Sequence, residues 1–131
     1  MVYFVVPRVI LFREEHSPRV FVPKVDYISA PGASDGIVRP GGPHAMLTGM
    51  CLFSFDKERK RFTLKSVHRG FTAADVRANT GFDYDAPDIV PETKAPDAAT
   101  LDLLRGRVTD ELSESYPSFA DMLRQERKAA A

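Results

Sequence analysis

The chain has no tryptophan, a single cysteine and no surplus of either charge: eighteen lysines and arginines face eighteen aspartates and glutamates. Each shortage excludes something. Without excess positive charge, nothing favours nucleic acid or an anionic membrane surface as partner. One cysteine, Cys51, cannot build a disulfide framework, and together with its place in an apolar run this fits a reducing cytoplasm. The apolar runs are too short to span a bilayer. The opening "MVYFVVPRVILF" lacks a basic leader and a small-residue cleavage site, and Pro7 and Arg8 break it, so it reads as strand and not as a signal sequence. The three histidines have no metal-site spacing, and no Gly-x-Ser-x-Gly elbow, phosphate-binding glycine–lysine loop or dinucleotide fingerprint occurs. No catalytic residue and no metal ligand is assigned.

What the chain does have is enough length, 131 residues, for one modest core. Residues 2–12 read as two buried strand pieces flanking Pro7. Residues 20–29, "VFVPKVDYIS", alternate as a strand. Residues 30–43 hold four glycines and three prolines, which makes them a long loop of the kind that is usually functional or mobile. "HAMLTGMCLFSFD", 44–56, reads as one buried strand, with Gly49 marking a bulge or a close backbone approach. "KERKR" (57–61) is a hairpin connection with a solvated tip, and "FTLKSVH" (62–68) is the returning antiparallel strand. Thr72, with Asp75 three residues on, is a capping box that starts a helix, and Gly81 follows its end. Residues 83–97 form an extended acidic, proline-rich linker. From Ala98 the spacing of Leu101, Leu104 and Val108 is helical, and "YPSFADMLRQERKAAA" adds a terminal helix. The expected fold class is α/β: an open, partly parallel sheet with a C-terminal β-hairpin and flanking helices, in a single domain, 1–131.

The candidate site residues are few. Gly41, Gly42, Pro43 and His44 form a loop onto a strand, where glycine lets a ligand approach the backbone. His44 reads otherwise as the first residue of that strand. His16, after Glu14 and Glu15, belongs to a solvated turn or to a carboxylate–imidazole pair. His68 ends its strand, and Cys51 is a small core residue whose burial raises its pKa.

The order of the pieces is informative. "FVPKVDYISAPG", "GGPHAMLTGMCLFSFD", a charged turn, "FTLKSVHRGFTAADVRANTGFDYDAPDIVPET" and "APDAATLDLLRG" together resemble the β (B) subunit of a family I CoA-transferase, of the glutaconate CoA-transferase type. Gly70, Thr72, Val76, Thr80, Gly81 and Phe82 match the family pattern position by position, and the likeness runs from about Phe21 to Arg107. The resemblance implies transfer of coenzyme A between carboxylic acids. A glutamate attacks the acyl-CoA thioester, a mixed anhydride forms, and a glutamyl-CoA thioester follows, with backbone donors near glycine turns holding the oxyanion. It implies coenzyme A thioester as substrate, no tightly bound cofactor and an α subunit as partner in a hetero-oligomer. The family's glutamate lies upstream of the equivalent of Phe21 in a Glu-Asn-Gly-like context, and no glutamate here precedes a glycine. The chain therefore matches the C-terminal portion of a β subunit and is expected to need the missing N-terminal half. Two alternatives stand beside transfer. One is the ring-opening hydrolysis of steroid-derived CoA thioesters, which some relatives perform. The other is a non-catalytic scaffold fragment.

Overall fold

The computed structural model describes residues 5–33 and 40–129. The described chain divides into two compact units, 1–93 and 94–131. In the first, β1 (Val9–Arg13), β2 (Pro43–Thr48), β3 (Cys51–Asp56) and β4 (Arg61–Val67) form one four-stranded sheet in the order β1-β2-β3-β4. β1 and β2 are parallel, and β2, β3 and β4 run as an antiparallel meander. The mixed open sheet and its helices are the α/β class expected from the sequence.

The parallel pair explains the long glycine–proline stretch. Two adjacent parallel strands cannot be joined by a hairpin; the chain must cross over the sheet, which takes a dozen residues or more. The connection leaves β1 at Arg13 and enters β2 at Pro43, and residues 34–39 of the expected loop lie outside the described residues. Residues 20–29 are therefore no strand, although they alternate. Ser17 O accepts from both Val20 N (3.0 Å) and Phe21 N (2.9 Å) in a turn, and Phe21 O accepts from Gly81 N (2.6 Å). Those bonds remove the segment from any ladder. Of the two strand pieces expected in 2–12, the second is β1; residues 5–7 are turn and bend, and 2–4 lie outside the described residues. β1 is also not buried: Ile10 and Phe12 are 63% and 69% exposed.

The expected strand 44–56 is two strands. Gly49 and Met50 turn the chain back, and Thr48 replaces the missing ladder bonds, its Oγ1 accepting from Met50 N (3.1 Å) and Cys51 N (3.0 Å). The close approach at Gly49 is real. Its N–H donates to Glu14 O (2.9 Å), and a Cβ built there would overlap that carbonyl. A chain reversal and a strand share the same apolar texture, so composition alone could not separate them.

The core lies on one face of the sheet. Met46, Cys51, Phe53, Leu64 and Val67 project from the strands and pack against Phe21, Val76 and Tyr84. Val76 comes from α1 (Ala73–Ala78), which starts at the expected capping box: Asp75 N donates to Thr72 Oγ1 (3.2 Å) while Thr72 N donates to Asp75 Oδ2 (2.7 Å). Edge-to-face aromatic pairs tie Phe53 to Phe62 and to Tyr84, with ring centroids 6.0 and 5.0 Å apart. Beyond α1, Asp85 and Glu92 make single parallel bridges to Thr63 and Val67.

The second unit is helical, as its spacing predicts. Asp97 caps α2 (Ala98–Leu103), its carboxylate accepting from Thr100 N (2.7 Å). α2 runs through a π-helical turn (Leu104–Val108) into α3 (Thr109–Ser115), and α4 (Pro117–Ala129) begins on a proline, where the missing N–H costs nothing.

Candidate functional site

The predicted loop residues sit at the entry to β2. Gly42 has φ +116°, a backbone conformation that side chains rarely adopt, and a Cβ there would lie 3.4 Å from Gly32 O. Its N–H donates to Val6 O (3.2 Å), and its carbonyl accepts from Val9 N (3.1 Å). Gly41, Gly42 and Pro43 are buried, whereas His44 is exposed on β2. The turn thus spends the Gly42 amide on the fold and presents the imidazole of His44 outward.

Lys57 is the residue that sequence reasoning missed here. Its ammonium donates to the carbonyls of Pro40 (3.2 Å), Gly41 (3.4 Å) and Pro7 (3.4 Å), closing the turn with a point charge. The charged "KERKR" is accordingly not only a solvated tip. Arg59 pairs with Asp85 at 2.6 Å and Arg61 at 2.8 Å, fastening the segment after α1 to the hairpin. No local signal announces such partners, because those of Lys57 lie 16 to 50 residues away in sequence.

A second polar cluster is buried. His16 is neither solvated nor paired with a carboxylate; it is 7% exposed, and its ring bonds two hydroxyls, Nδ1 to Thr48 Oγ1 and Nε2 to Thr80 Oγ1, both at 2.9 Å. The contacts favour one tautomer. Thr48 Oγ1 already accepts two backbone N–H groups, which fill its lone pairs, and of the two acceptors within reach of its single proton Nδ1 (2.9 Å) is nearer than Cys51 O (3.2 Å). Nε2 then carries the ring proton and donates to Thr80, whose hydroxyl donates to Val76 O (2.7 Å). A second ring proton has no acceptor, and burial independently pushes the His16 pKa down. Cys51 Sγ lies 3.8 Å from Nδ1, a distance suggestive of a nucleophilic pair. The chemistry is wrong for one: burial raises the thiol to about 11, Cys51 is fully buried, and the imidazole is held neutral. The expectation that Cys51 is a core residue holds.

His68 follows β4, as expected. Its Nδ1 meets Thr93 Oγ1 (2.8 Å) and its Nε2 meets Thr48 O (3.0 Å), while Ser66 Oγ meets Thr93 Oγ1 (2.7 Å). Among the described residues, no group of three or more His, Cys, Asp or Glu side chains could hold a metal ion, and no helix is long and apolar enough to cross a membrane.

The described residues of the first unit thus form a mixed open sheet entered through a glycine turn at positive φ, with its hairpin fastened by ion pairs to the segment after α1. No protein-family model matches the chain. It is 35% identical over 102 residues to the B subunit of glutaconate CoA-transferase from Acidaminococcus fermentans, covering 72% of this chain and 38% of that protein. To the B subunit of 3-oxoadipate CoA-transferase from Pseudomonas knackmussii it is 32% identical over 103 residues, covering 73% and 39%. The crystal structure of the Acidaminococcus fermentans enzyme superposes with a TM-score of 0.60 over 74% of this chain and 40% of that chain, at 33% identity. IpdAB of Rhodococcus jostii RHA1 gives a TM-score of 0.64 at 25% identity, covering 76% and 42%. In sequence and in fold the chain is thus a relative of CoA-transferase B subunits, and it spans about two fifths of the length of those it matches.

Proposed function

We propose that the chain is a segment of a CoA-transferase β subunit that moves coenzyme A between an acyl-CoA and a carboxylic acid, in a complex with an α subunit. The observation that carries the reading is the 35% identity to the B subunit of glutaconate CoA-transferase, joined by a fold likeness to the same enzyme. Both curated relatives are named for dicarboxylates, so the acid is proposed to be a dicarboxylate. The chain's own contribution is positional. Gly41, Gly42 and Pro43 shape the entry to β2, and His44 stands exposed beside it, facing the substrate in this reading. None of its glutamates is followed by glycine, so the nucleophile comes from the remainder of the β subunit. The working protein is cytoplasmic.

The test is CoA exchange by the complete complex, co-expressed with an α subunit and the remaining β-subunit polypeptide. Exchange from acetyl-CoA or succinyl-CoA onto glutaconate or 3-oxoadipate is expected, and the isolated chain should give none. No exchange, with a steroid-derived cyclic CoA thioester instead gaining the mass of one water while its thioester stays intact, would favour the second reading, a CoA-thioester ring-opening hydrolase, with which the fold likeness to IpdAB is compatible. A complex that forms and does neither would leave the scaffold reading.

A further inference from the structure

The helical unit holds a cavity of about 680 Å³, within the size range of small-molecule sites. Leu104 and Leu123 supply its apolar lining, and Arg105, Arg127, Lys128 and Glu126 its charge. The charge is distributed unevenly. Arg107 is paired with Glu111 (2.7 Å), and Arg124, which also lines the cavity, is held by Asp110 (3.0 Å) and Asp121 (3.2 Å). Arg105, Arg127 and Lys128 have no carboxylate partner among the described residues. The cations left unpaired in this part of the helices are therefore those that face the cavity, and one glutamate there does not balance three of them. Leu104 and Arg105 reach the cavity from the π-helical turn Leu104–Val108, where Thr109 Oγ1 donates to Leu104 O (2.7 Å) across the widened turn. Such turns disturb an otherwise regular helix and recur at functional sites.

We propose that this cavity binds a phosphate-bearing ligand with a flat apolar body, the nucleotide class. Two guanidinium forks match phosphate oxygens in pairs and also stack on aromatic rings, which an ammonium cannot do. The two leucines receive the base. The lining does not depend on the proposed CoA transfer, and a free nucleotide and the nucleotide end of coenzyme A offer it the same chemistry, which the experiment separates.

The experiment is an NMR titration of the isotope-labelled full chain with inorganic phosphate, ADP and coenzyme A in turn. ADP or coenzyme A should give saturable shifts at the amides of residues 104–109 and 123–128, weakened by added salt. Removing two charge-assisted contacts in the Arg105→Gln/Arg127→Gln variant should weaken ADP at least about tenfold. Both side chains are exposed, so the variant's spectrum should otherwise match the parent's. Lys94→Gln, which removes a cation outside the cavity lining, should bind like the parent. Tighter binding of coenzyme A than of ADP would identify the ligand as the CoA nucleotide, and ADP binding without coenzyme A binding would identify a free nucleotide and leave the transfer reading untouched. The proposal is overturned by an absence of saturable shifts with ADP and coenzyme A at millimolar concentration. It is equally overturned by ADP binding no tighter than inorganic phosphate, or by unchanged affinity in the double variant.

Discussion

Replacing His16 should expose how three distant parts of the chain are held together. The imidazole links the crossover loop to Thr48 at the end of β2 and to Thr80 after α1, and its ring lies 4.5 Å from that of Phe21. His16→Ala removes two buried hydrogen bonds at about 1 kcal/mol each. It also removes a ring contact worth about 0.5–1.5 kcal/mol, giving a loss near 3 kcal/mol. Neither hydroxyl is stranded, because Thr48 can turn to Cys51 O (3.2 Å) and Thr80 keeps Val76 O. Thr48→Val is the harsher cut in polar terms: it orphans the amides of Met50 and Cys51 and the Nδ1 of His16 at once, at about 1 kcal/mol or more for each. His16→Gln can accept from Thr48 and donate to Thr80, so it should cost least. The same geometry sets the pH dependence. The folded state depresses the His16 pKa, so below the ordinary histidine value the unfolded chain binds the extra proton. Stability is then full above about pH 6.5 and falls as pH drops below it, by no more than about 1.4 kcal/mol per pH unit for one proton. Urea denaturation followed by circular dichroism, from about pH 7.5 down to about pH 5, should show that loss in the parent and a reduced loss in His16→Gln. An imidazole that titrates by NMR at or above the ordinary value, or a glutamine variant as acid-sensitive as the parent, would refute the network.

Three further outcomes follow from single contacts. Gly49→Ala places a methyl against the Glu14 carbonyl and should cost about 1–3 kcal/mol by the same denaturation assay; a neutral result would mean that the β1–β2 junction yields freely. Thr72→Ala removes the cap of α1 and should cost about 1 kcal/mol, with Thr72→Ser close to wild type. Cys51, with its thiol raised to about 11, should be labelled by iodoacetamide at about pH 8 far more slowly in the native chain than in urea; equal rates would place the thiol outside the core.

The parts legible from sequence were those written in local pattern. The Thr72–Asp75 capping box, the hairpin over 51–67 and the helical spacing after Ala98 each depend on residues within a turn or two of one another, and each stands in the structure. The misreadings have a common cause. Residues 20–29 alternate like a strand, yet Phe21 is claimed by Ser17 and Gly81; His16 sits among acids in sequence but is enclosed by Thr48, Thr80 and Phe21. The candidate turn was visible as a cluster of glycines, whereas Lys57, which closes it, looked like any surface lysine until the hairpin carried it back to Gly41.

The sequence by itself determined the local geometry and the kinship: caps, turns and the spaced motif depend on short-range sterics and hydrogen bonds, which neighbouring residues dictate. Only the tertiary structure decided which polar groups are neutral, paired or free. Whether an imidazole meets water or two hydroxyls depends on groups 32 and 64 residues away, and burial, which raises the cost of every unpaired charge, exists only once those groups have met.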